Sequence, residues 1–97
     1  MIVERITWLA QVGCCGKVVQ LIKDLNEQLG SSETSRVYSC MFGADDESVV
    51  LELEFESMED RRVSWKKWSS NPKVHEATRS MQALIQSGGV HEMWRLH

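Results

Sequence analysis

The chain has 97 residues, of which 42% are apolar and 26% charged, and its net charge is −3. That length makes one small domain spanning residues 1–97, and the apolar share is too high for a disordered chain. The acidic balance argues against a nucleic-acid partner, and no apolar run approaches the ~18 residues of a membrane span.

The first segment, Ile2 to Gln11, alternates, with Val3, Arg5, Thr7 and Leu9 on one face and Ile2, Ile6, Trp8 and Ala10 on the other. Its Val, Ile, Thr and Trp content makes it a strand. Gly13 and Gly16 bracket a turn, and from Lys17 the period changes. Val18, Leu21, Ile22, Leu25 and Leu29 recur at helical spacing, and Gly30 follows where a helix-ending glycine is expected, with Ser31-Ser32 continuing the loop. Arg36 to Gly43 reads as a second strand with Arg36, Tyr38, Cys40 and Phe42 on one face. After the polar turn Ala44-Asp45-Asp46-Glu47, a third strand sets Val49, Leu51, Leu53 and Phe55 against Val50, Glu52, Glu54 and Glu56, which completes a hairpin.

Ser57 is placed to cap a second helix, with Asp60 at the third helical position. Met58, Trp65 and Trp68 share one face of it. Asn71-Pro72 breaks this helix and starts another, since Asn caps well and Pro fits the first helical position. The new stripe is Val74, Ala77, Met81, Leu84 and Ile85; Ser87-Gly88-Gly89 stops it, and Val90 to Leu96 is a last strand. The order is β-α-β-β-α-β with the second helix broken near Asn71-Pro72. This is a ferredoxin-like α+β plan, a four-stranded antiparallel sheet with helices on one face.

Two helical elements cover one sheet face and leave the other bare. Arg36, Tyr38, Glu52 and Glu54 are expected there, with Cys40, Phe42 and Glu56, and with Arg5, Thr7, His91, Arg95 and His97 from the outer segments. A plain solvated face with incidental ion pairs is the simpler reading. Aromatic side chains interleaved with carboxylates and arginines instead favour a homodimer through this face, two sheets closing into one barrel. Its lumen would hold charged groups that must pair, and it offers room for a small organic ligand.

Three segments carry a likeness to known proteins: Val49 to Met58 (VVLELEFESM), Trp65 to Pro72 (WKKWSSNP) and Ser87 to Leu96 (SGGVHEMWRL). Together they resemble the dimeric α/β barrel superfamily, and within it the small NIPSNAP-like members. The resemblance implies the ferredoxin-like fold and a dimer. It does not choose an activity, because the superfamily includes monooxygenases, isomerases, dehalogenating and haem-handling enzymes, and members of no assigned activity. Its haem-degrading members use an Asn on the first strand with a Trp and a His after strand three. Trp65 or Trp68 and His75 match the latter two, but Glu4, Arg5, Ile6, Thr7 and Trp8 occupy the first strand, so that set is incomplete.

Other chemistry is sparse. Three cysteines, an odd number with Cys14 and Cys15 adjacent, fit reduced thiols in the cytoplasm, and MIVERITWLA lacks the pattern of a signal peptide. Cys14 or Cys15 at a helix start is the place for a redox role. There is no spaced pair of zinc-binding type, so no metal and no cofactor are expected. Glutamates on strand three argue against the RNA-binding use of this topology. The expected function is a homodimeric small-molecule-binding or accessory protein. Its ligand or barrel-lining candidates are Arg5, Arg36, Tyr38, Glu52, Glu54, Arg95, Trp65, Trp68 and His75. The alternative is a cofactor-independent monooxygenase or isomerase using Glu52, Glu54, His75 or Arg95.

Overall fold

The computed structural model describes residues 1–31 and 34–97, with residues 87 and 88 as backbone alone. Its elements are β1 (Ile2–Ala10), α1 (Cys15–Leu29), β2 (Ser35–Ser39), β3 (Ser48–Phe55), α2 (Met58–Ser69), α3 (Pro72–Gln82) and β4 (Ile85–Arg95). The strands form an antiparallel sheet in the order β2-β3-β1-β4, and the sheet of a single chain is open. This is the ferredoxin-like arrangement expected from the hydrophobic pattern.

Local chemistry places the helix ends where the sequence puts them. Gly30 closes α1 with φ 68°, the left-handed conformation that a side chain disfavours. The Ser57 hydroxyl accepts from the Asp60 N–H at 3.2 Å, and Asn71 Oδ1 accepts from the Lys73 N–H at 2.9 Å with Pro72 in the first turn of α3. Helix α1 starts two residues before Lys17, because the Val18 N–H already bonds the Cys14 carbonyl at 3.0 Å. Ser32, read as loop, lies outside the described residues.

The core lies between the sheet and the helices. Ala10 and Val49 from the sheet meet Val18 and Ile22 from α1 and Met81 from α3, all buried. Directly opposed residues of an antiparallel ladder share a face. The pairs Glu4↔Leu53, Ile6↔Leu51 and Trp8↔Val49 therefore belong to the helix side, and Arg5↔Glu52 and Thr7↔Val50 to the open side.

The structure corrects several expectations about strand ends. Strand β2 stops at Ser39 rather than Gly43, because a turn with Gly43 in the left-handed region takes the chain out of the sheet. Cys40 and Phe42 therefore do not belong to the strand face, and Phe42 is 96% exposed in the loop. Glu56 lies just past the end of β3. Helix α3 ends at Gln82, and Ser87-Gly88-Gly89 is not a helix stop but part of β4. That strand begins at Ile85, paired with Ala10 across an irregularity between Trp8 and Ala10. Gly89 is needed there, since a Cβ at that position would sit 2.8 Å from the Thr7 carbonyl oxygen.

The face of β4 is also corrected. His91 pairs with Ile6 and Arg95 with Ile2, which puts both on the helix side. The open side receives Val90, Glu92 and Trp94 instead, opposite Thr7, Arg5 and Val3. His97 lies beyond the strand.

Candidate functional site

Glu4 stands between Ile2 and Ile6 on the helix side of β1, in the middle of the sheet, and is fully buried. An ionised carboxylate removed from water is costly unless donors surround it. Two come from Arg61, whose Nε donates to Oε1 at 3.1 Å and whose Nη2 donates to Oε2 at 2.8 Å. Trp65 Nε1 donates to Oε1 at 2.7 Å, and His91 Nε2 donates to Oε2 from the neighbouring strand. Arg61 and Trp65 are one turn apart on α2, so both reach the same carboxylate. The Arg61 guanidinium also lies 5.5 Å from the centre of the Trp65 ring, within cation–π range.

These contacts set the charge of the cluster. Burial alone would push the Glu4 carboxyl up, but hydrogen bonds from Arg61, His91 and Trp65, with the Arg61 charge, outweigh it and hold the group below its ordinary value. The same hydrogen bond from Arg61 raises the guanidinium further above its already high value. Glu4 is a buried anion clamped by α2 and β4.

Beside this clamp a cavity of about 340 Å³ opens between the sheet and the helices. Trp65 and Trp68 form one wall, with ring centres 5.6 Å apart in an edge-to-face arrangement. Leu21 and Leu25 of α1, Met81 of α3 and Leu51 of the sheet contribute apolar surface. Asn26 of α1, 8% exposed, is a polar exception in this lining.

Trp65 and Trp68 are thus the two sequence-predicted site residues that reach the cavity. Arg5, Arg36, Tyr38, Glu52 and Glu54 are brought together on the opposite face of the sheet. There Arg5 Nη2 pairs with Glu52 Oε2 at 2.8 Å, Tyr38 donates to Glu52 Oε1 at 3.3 Å, and Arg36 pairs with Glu54. Hydrogen bonds to these carboxylates raise both arginines, Arg5 through Glu52 and Arg36 through Glu54. His75 is exposed in the first turn of α3, and Arg95 is exposed at the end of β4. Neither is among the cavity-lining residues. Among the described residues there is no cluster of three or more His, Cys, Asp or Glu side chains fit to hold a metal ion.

Glu4, Arg61 and Asn26 are site residues that pattern reading passes over, and His91 is one that it puts on the opposite sheet face. Two left a signal. Glu4 is charged on the strand face of Ile2, Ile6, Trp8 and Ala10, and Asn26 is polar four residues after Ile22 on the buried face of α1. A polar residue breaking an apolar stripe is the sign to look for.

No protein-family model matches the chain, and no curated protein matches it by sequence. Solved structures do. The chain is similar to an uncharacterized NIPSNAP domain protein from Burkholderia xenovorans, with a TM-score of 0.80 and 14% identity over 100% of this chain and 95% of that one. A NIPSNAP family protein from Agrobacterium tumefaciens gives 0.80 and 13% over 97% and 90% of the two chains. A structure described as an antibiotic biosynthesis monooxygenase gives 0.73 and 10% over 100% and 99%. With strand order β2-β3-β1-β4 and helices on one face, the chain has the ferredoxin-like fold of the NIPSNAP proteins and of that monooxygenase, the fold that the likeness of residues 49–58, 65–72 and 87–96 implied.

Proposed function

We propose that the protein binds a small, mainly apolar organic molecule in the cavity between sheet and helices, and does so as a homodimer joined through the open sheet face. The cavity is the observation that supports the first part. Ligand sites generally fall between about 300 and 1,000 Å³ and are largely apolar with few polar groups, and a space of about 340 Å³ walled by Trp65, Trp68, leucines and Met81 fits that description.

The homodimer is supported by the surface on the other side. Tyr38, Val90 and Trp94 are 44%, 54% and 54% exposed on the open face, around the Arg5–Glu52 and Arg36–Glu54 pairs. A second copy would cover this apolar area and leave the charges already paired. Free thiols at Cys14, Cys15 and Cys40 favour a reducing, cytoplasmic setting. The enzyme alternative, a cofactor-independent monooxygenase or isomerase, gains no support from Glu52, Glu54, His75 and Arg95, which all stand off the cavity.

The test of ligand binding is nuclear magnetic resonance titration with small ring compounds. Saturable shifts of the Trp65 and Trp68 indole signals are expected, and smaller ones on the open face. Absence of any saturable shift at the two indoles across a panel of such compounds would overturn the reading.

A further inference from the structure

Asn26 is out of place for a residue that only fills a core. It lies on the buried face of α1, one turn after Ile22 and two after Val18, and lines the cavity. Its side-chain amide makes no hydrogen bond with any of the described residues. Burying an amide without a partner is unfavourable, and native proteins rarely leave one so. Among the described residues, no fully enclosed side-chain nitrogen or oxygen lacks a partner. The amide has no partner among the described residues and belongs to a residue that lines the cavity, so a ligand there is placed to meet it.

Apart from the indole N–H groups of Trp8 and Trp68, which can only donate, and Gln82, the other polar groups around the cavity are engaged. Trp65 Nε1 donates to Glu4, the Thr78 hydroxyl donates to the Val74 carbonyl at 2.9 Å, and the Ser31 hydroxyl donates to the Asn26 carbonyl at 3.3 Å. Gln82 is exposed at the rim. Among the described residues, the lining includes no Lys, Arg, Asp, Glu or His. A charged ligand would find no counter-ion and would stay unpaired in an apolar setting, which disfavours it strongly. A neutral ligand with one hydroxyl or carbonyl would satisfy the amide.

Size narrows the class further. An apolar cavity of roughly 150 Å³ holds one benzene, and the space here is about 340 Å³, which accommodates a molecule of about two fused rings. We infer that Asn26 is the polar recognition residue of the cavity, and that the ligand is a neutral molecule of about bicyclic size bearing one hydrogen-bonding group. This rests on the proposal that the cavity is a ligand site, and it adds the selectivity of that site.

Calorimetric or resonance titration with naphthalene, 2-naphthol and 2-naphthoate tests it. A merely greasy cavity prefers naphthalene, the least hydrated of the three. A hydrogen bond to Asn26 reverses that order, and 2-naphthol is expected to bind about five- to tenfold more tightly than naphthalene. The 2-naphthoate anion should bind more weakly than either. In Asn26→Leu the advantage of 2-naphthol should vanish while naphthalene binds as well as before. Naphthalene binding the native protein as tightly as 2-naphthol, or the order surviving Asn26→Leu, would overturn the role of Asn26 and leave the ligand site standing. None of the three binding would overturn the ligand site and this inference together. The order measured on the native protein decides the question even if the variant does not fold.

Discussion

A carboxylate with no contact to water is stable only as long as its donors stay in place, and Glu4 has donors on both α2 and β4. Replacing it by Gln turns one acceptor oxygen into a donor that faces other donors. Glu4→Gln is expected to lower unfolding stability by about 3 kcal/mol, the usual scale for removing one partner of a buried ion pair, as read by urea unfolding. The same residue sets a pH dependence. Its carboxyl is depressed in the folded state, so its contribution is complete above the unfolded carboxylate range and is lost as pH falls through the lower folded value. Glu59 is held low too by its hydrogen bond from Arg62, but both are exposed on the surface of α2, where such a pair adds little. The native protein should therefore lose more stability in acid than Glu4→Gln does. Parallel acid curves for the two proteins would show that another group controls this limb.

At the scale of elements, α2 and β4 depend on specific contacts more than on bulk burial. Among the described residues α2 has none that is fully buried. It is held by Arg61 and Trp65 on Glu4 and by Trp68, whose ring centre lies 6.1 Å from that of Phe55. Strand β4 depends on close approach to β1 at Gly89. A methyl group there meets backbone, not a side chain that can swing aside, so the two strands must separate. Gly89→Ala is expected to destabilise by about 2 kcal/mol, within the range for overpacking, and to speed amide hydrogen exchange along residues 85–90. Unchanged exchange in that stretch would mean the strands adjust without cost.

For the whole molecule, the two faces of one sheet divide the work. The helix side holds the core, the Glu4 clamp and the cavity, and the open side holds half-exposed aromatics among ion pairs. In a lone subunit each such pair contributes less than about 1 kcal/mol. Under a second copy the same pairs lose solvent and the apolar surface of Val90 and Trp94 is covered. Light scattering is expected to give twice the 11.1 kDa chain mass at micromolar concentration. Trp94→Glu, which adds an unpaired charge to the face, should shift the protein toward the monomer without lowering its helix content. A native protein that scatters as a monomer would remove the homodimer and leave the cavity untouched.

The amino-acid sequence by itself determined what depends on neighbours in the chain. The stripe of α1 and its stop at Gly30, the cap at Ser57, the break at Asn71-Pro72 and the alternation of β3 all follow from backbone geometry within a few residues. The shared face of Trp65 and Trp68 was legible for the same reason. Only the tertiary structure decided which residues meet across the sheet. Ser87-Gly88-Gly89 reads locally as a stop, yet it is strand, because the pairing partner is β1, some 80 positions earlier. The side of the sheet that His91 and Arg95 occupy depends on that register, since a shift of one residue reverses every side chain. Glu4 gathers partners 57, 61 and 87 positions away, and the space beside Asn26 exists only where α1, α2, α3 and the sheet converge. Periodicity tells which face of an element is apolar, but packing decides what stands opposite it.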